Sequence, residues 1–148
     1  MLNVPGQYIR LASLSILQVE QIPDLYKLIS LYLIDSIDCF PGPCWNYKYQ
    51  SEDKLIDFFT YLCILVYLWP KIGNFRLLLS ASLVFRLIGL WQYFKTGDES
   101  VLVQFPDYFR ELSIVHLLFP GNIWWIIAVL VLKPFVEIFM HVKHQSLV

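Results

Sequence analysis

Long apolar stretches alternate with short polar breaks along this chain, and the breaks predict where helices end. Pro23 and Asp24 suit a first helical turn: proline gives up no needed donor there, and an acidic side chain is favoured by the helix dipole. From Leu25 to Ile37 only Lys27, Ser30, Asp35 and Ser36 interrupt the apolar run, and Pro41-Gly42-Pro43 forbids further helix. A first span over about 23–39 follows. A second covers about 53–69 and stops at Pro70 and Gly73. A third covers about 75–94, ahead of the polar stretch Lys95–Ser100. Only a short turn separates the second and third, so they form an antiparallel hairpin. A span takes about 20 apolar residues, with a lower limit near 17.

Beyond Ser100 two readings stay open. Either a helix over about 101–119, with Pro106 early in it, crosses back and Pro120-Gly121-Asn122 turns the chain into a last helix over about 123–141, or a single broken span covers about 113–132. Pro120-Gly121 is a strong turn signal and favours five spans over four. Upstream, Ile9, Leu11, Leu14, Ile16, Leu17 and Val19 alternate with polar residues. That spacing fits an interfacial amphipathic helix or an N-terminal extension of the first span. The expected fold is therefore all-α: a polytopic transmembrane helical bundle of five spans (alternatively four), with residues 1–148 as a single domain.

Composition agrees. Hydrophobic residues make up 57% of the 148 and charged residues 16%, against about 45–50% and about 25% in soluble domains. The excess must face lipid or protein. Trp45, Tyr47 and Tyr49 in the first loop suit a headgroup region, and Trp124 and Trp125 join Trp69 at the other interface. A net charge of -1 without a Lys/Arg run excludes a nucleic-acid partner. Cys63 lies in an apolar run, whereas Cys39 and Cys44 could pair only in an oxidising compartment. Serine-hydrolase, metalloprotease and P-loop patterns do not occur. With five spans, Arg10, Lys71 and Arg76 lie on the side of the N-terminus, and Lys48, Lys54, Lys95, Arg110 and Lys143 lie opposite. The excess makes the opposite side cytoplasmic, as in a bacterial-type inner membrane.

Ionisable residues inside spans are costly and need a reason. Asp35 and Asp38 are three apart near the end of the first span, and Asp53 and Asp57 four apart at the start of the second. Each spacing puts a pair on one helix face. Because the two spans are antiparallel, both pairs share one depth. Such hard oxygen donors suit Mg²⁺ or Mn²⁺. The alternative is a set of interfacial acids at wet helix ends, and Asp53 is also a good helix N-cap. Arg86 lies deep in the third span, either ion-paired with one of those aspartates or holding an anion bidentately. Lys133, Glu137 and His141 recur every fourth residue along the last helix, as one polar stripe or a salt-bridged helix end. In the five-span version all three groups meet in one off-centre polar cavity. His116 reads as a packed histidine.

The aspartate pattern resembles the CDP-alcohol phosphotransferase family. The resemblance implies that Asp35, Asp38, Asp53 and Asp57 hold divalent cations, that Asp57 is the base activating the acceptor hydroxyl, and that the substrate is a phospholipid or nucleotide-alcohol. Arg86 and Lys133 would then be candidate substrate-binding groups. The chain differs from the family in having Cys39 where a glycine follows the second aspartate, Tyr49 where another glycine is expected, and no Ala-Arg pair within 40–46. The stretches around Phe85–Gly89, Phe105–Phe109 and Lys133–His141 also resemble those of small polytopic bacterial membrane proteins, which implies membrane location and no activity. Three functions follow as expectations: a metal-dependent phosphotransferase, an ion- or proton-coupled transport or binding protein whose missing half a homo-oligomer would supply, or a non-catalytic accessory subunit.

Overall fold

The computed structural model describes residues 6–37, 47–98 and 100–145, with side chains for 8–35, 51–98 and 100–139. The chain is all-helical over the described residues. It divides into two compact units, Met1–Gly73 and Asn74–Val148.

The first unit holds α1 (Gly6–Ser13), which runs into a 3-10 turn at Leu14–Gln18, then α2 (Asp24–Ile37) and α3 (Tyr47–Leu68). α2 and α3 are antiparallel, and Tyr32 meets Tyr61 edge-on with ring centroids 6.3 Å apart. Leu28, Ile64 and Leu68 are fully buried at the centre of the apolar side. The N-terminal segment does not extend α2, because Val19 has extended backbone and breaks the helix. Instead α1 lies against both α2 and α3. Its sequence explains this. Arg10, Leu14 and Leu17 follow at helical spacing on one face, and Arg10 and Leu17 are both buried. α3 also starts earlier than position 53, since nothing in 47–52 breaks a helix.

The second unit holds α4 (Phe75–Thr96), α5 (Ser100–Gln104), α6 (Phe109–Leu118) and α7 (Ile123–Gln145). Gly97 closes α4 in the left-handed region (φ 70°), and its N–H donates to the Tyr93 carbonyl at 2.8 Å. The continuous helix expected over 101–119 is corrected to two short ones. Pro106 offers no N–H and bars Phe105 from helical backbone. Tyr108 N–H then donates to the Pro106 carbonyl, and Asp107 Oδ1 accepts from Phe109 N–H at 3.2 Å to start α6. Even so, the broken segment runs back along α4. Phe105 lies beside Phe85 (5.0 Å between rings), and His116 stacks on Phe75 at 4.1 Å. α7 continues through Pro134 and starts with Trp125 stacked on Phe119 at 5.0 Å.

Among the described residues one helix, α4, is long and apolar enough to cross a membrane, and only 33% of its apolar window is buried.

Candidate functional site

The two ends of the first unit each gather charges. At one end Arg10 reaches from α1 to three carboxylates. Its Nη1 pairs with Asp53, and its Nη2 with Asp35 and Asp57. Arg10 is 4% exposed, and the three aspartate side chains keep 21%, 24% and 25% of their surface. A guanidinium presents five donors in a rigid fork, so one group can serve several carboxylates. The last turn of α2 and the first half of α3 thus bring Asp35, Asp53 and Asp57 to one level. Asp38 lies outside the described residues. Among those described, no group of three or more His, Cys, Asp or Glu is arranged to hold a metal ion. The carboxylate oxygens of all three converge on the Arg10 guanidinium.

Arg10 is the residue sequence reasoning missed, since it was assigned to the opposite side of the bilayer. The available signal was its register: a cation four and seven residues ahead of Leu14 and Leu17 sits on the apolar face.

The other end of this unit carries a second network that the sequence did not announce. Tyr67 donates its hydroxyl proton to Asp24 Oδ1 at 2.5 Å and accepts from Lys27 Nζ at 2.6 Å and Lys71 Nζ at 2.8 Å. Lys27 is buried and also donates to the Leu17 carbonyl at 3.2 Å. Lys71 donates to both Asp24 oxygens at 2.9 Å. Desolvation acts to lower the Lys71 pKa, but the bonds to Tyr67 and Asp24 outweigh it and raise the ammonium above its ordinary value.

In the second unit the segment 105–111 is the hub. Arg86 Nη1 donates to the Phe105 carbonyl at 2.8 Å. This contact ties α4 to the 105–108 loop within its own unit. It satisfies an acceptor that the Pro106 break would otherwise leave bare. Gly89 admits the same loop: a Cβ there would come within 2.5 Å of Phe105 Cβ. From the other side Lys133 of α7 donates to Glu111 Oε1 at 2.7 Å and lies 3.3 Å from Glu137 Oε1. Lys133 and Glu137 are both buried, and both act electrostatically on Tyr108. Arg86, Lys133 and Glu137 therefore approach one loop from two helices. The side chain of His141 lies outside the described residues.

No protein-family model matches the chain, no curated protein matches it significantly, and neither does any solved structure.

Proposed function

We propose that the chain is a small multi-pass membrane protein that takes up protons or cations at the carboxylates of Asp35, Asp53 and Asp57, with Arg10 as a built-in countercharge. The membrane half of the reading is supported by α4, whose apolar face is mostly unburied, unlike the core helix of a soluble protein. α7 adds an unbroken apolar run from Ile123 to Leu132, and Trp124, Leu132, Phe135 and Phe139 are exposed beyond it and within it. Exposed apolar patches of more than a few hundred Å² are rare on soluble monomers. The return of α5–α6 along α4 favours five crossings over four. Pairing Arg10 with the aspartates moves it to their side of the bilayer. The positive residues then divide six to two in favour of that side, which supports a cytoplasmic location for the cluster.

The observation that carries the site is the crowding of carboxylates. Three carboxylates share one guanidinium. Fully ionised, three carboxylates at one level repel one another at a place where charge is costly. Protons or cations relieve that cost reversibly, which is the chemistry of ion- or proton-coupled binding and transport. A second reading keeps the phosphotransferase. The convergence of three of its four matched aspartates favours it, but it requires Arg10 to leave.

One experiment separates the two. The full chain in nanodiscs is titrated with acid and with Mn²⁺, beside Asp57→Asn. Proton uptake that the variant reduces, without saturable Mn²⁺ binding, is the expected result. Saturable Mn²⁺ binding lost in Asp57→Asn supports the phosphotransferase instead. If parent and variant behave alike in both titrations, both readings fall and the cluster is a helix clamp.

A further inference from the structure

The charged network of Lys27, Tyr67 and Lys71 does not stand alone. It lines a crevice of about 420 Å³ together with Glu20 and Asp24. Next to it a groove of about 580 Å³ runs between α1 with its 3-10 turn and α3, walled by Leu11, Leu14, Leu62, Cys63 and Val66. Leu17, Gln18 and Tyr67 line both, so the apolar groove and the polar crevice adjoin. Each volume lies within the roughly 300–1,000 Å³ of small-molecule sites.

We infer that this continuous surface binds a zwitterionic phospholipid, one acyl chain in the groove and the head group in the crevice. The inference rests on the membrane reading above. Three observations choose the occupant. The first is position. The groove follows α3 from Leu62 to Tyr67, a helical rise of roughly 8 Å, and Lys71 lies in the turn just past the end of α3 at Leu68, so a chain in the groove ends where the charges begin. The second is charge. The crevice holds two ammonium groups and two carboxylates, a neutral set that complements a lipid phosphate joined to an ammonium and gives no surplus to an anionic lipid. The third is availability. Lys71 is 40% exposed and Glu20 is exposed, so each can meet a ligand. Lys27 is buried and holds Tyr67 in place. The phosphate then lies against Lys71, which gives up one of its two bonds to Asp24 to reach it, and the ammonium against Glu20. The occupied leaflet is the one opposite the aspartate cluster.

The test uses full-length protein in vesicles containing phosphatidylcholine with a diazirine on one acyl chain. Flotation with the vesicles is scored first. A chain that does not float sinks the membrane reading and this inference with it. In a chain that floats, crosslinks should concentrate in peptides covering 11–18 and 62–67, above the level in 123–132. Unlabelled phosphatidylethanolamine should compete and phosphatidylglycerol should not. Lys71→Ala removes a charge-assisted contact and should weaken labelling of those peptides about tenfold, the equivalent of about 1.4 kcal/mol. Cys63→Trp should block it by filling the groove while leaving the charges intact. Labelling spread evenly over all exposed helices, equal competition by phosphatidylglycerol, or labelling unchanged in both variants overturns the site while the membrane reading stands.

Discussion

Replacing Arg10 by Met keeps an unbranched apolar stem and deletes the only guanidinium that the three aspartates share among the described residues. Removing one partner of a buried ion pair costs about 3–5 kcal/mol. Here the aspartate side chains retain 21–25% of their exposure, so water screens part of the freed charge and about 2–3 kcal/mol is the expected loss. The loss should be recoverable. In the Arg10→Met background, Asp57→Asn removes one of the repelling charges and should return about 1 kcal/mol, although in the parent the same substitution destabilises. The measurement is reversible unfolding of the four proteins in mixed micelles, followed by far-UV circular dichroism against the mole fraction of SDS. An Arg10→Met protein within about 0.5 kcal/mol of the parent, the usual range of a neutral surface change, would falsify the clamp. So would a double variant no more stable than Arg10→Met alone.

Three further outcomes are expected. Gly89→Ala puts a Cβ 2.5 Å from Phe105 Cβ and 2.8 Å from its Cγ; the near end of the side chain cannot swing away, so α4 and the 105–108 loop must part at about 1–3 kcal/mol, read in the same unfolding assay. Tyr67→Phe leaves buried Lys27 with the Leu17 carbonyl and the more distant Asp24, and should destabilise by about 1–3 kcal/mol, with faster amide exchange in 14–18. Asp98 accepts from the Ser100 hydroxyl and then from its N–H, which lowers its pKa below the ordinary 3.8. A depressed acid stabilises above its unfolded value and stops doing so as pH falls through its folded value. The Ser100 amide resonance should therefore hold steady from neutral pH down to about pH 4 and shift only in stronger acid.

Much of this was readable before any coordinates. Spacings of three and four, with two antiparallel spans, were enough to place Asp35, Asp53 and Asp57 at one level. At the opposite ends of α2 and α3 the three-residue spacing of Asp24 and Lys27 puts both on the face that meets Tyr67, and Lys71 reaches the same place from just past the end of α3. A tyrosine among apolar residues, though, gives no sign of its hydroxyl's partners. Arg10 escaped for a different reason: its partners are 25 or more residues away, and local periodicity shows a face without showing what the face meets. Lys133 and Glu137 were legible as an i,i+4 pair, whereas Glu111 was not, since its contact needs the turn at 119–122 to fold α7 back on α6. Pro106 is plain in the sequence, but the extent of the break it makes is not. It divides a helix that the apolar run on both sides suggested was continuous.

That division bears on how the chain is made. α5 has five residues and α6 ten, both shorter than the roughly 12–15 at which an isolated helix becomes even marginal in water. In the interior of a bilayer the bare backbone around Pro106 is tolerable only when buried against protein, and α4 supplies that cover through Arg86 and the gap at Gly89. A segment of this kind is a poor candidate for release into lipid on its own as it leaves the ribosome. Under the proposed membrane reading it waits beside α4 at the insertion machinery until α7 follows and Lys133 holds it from the far side.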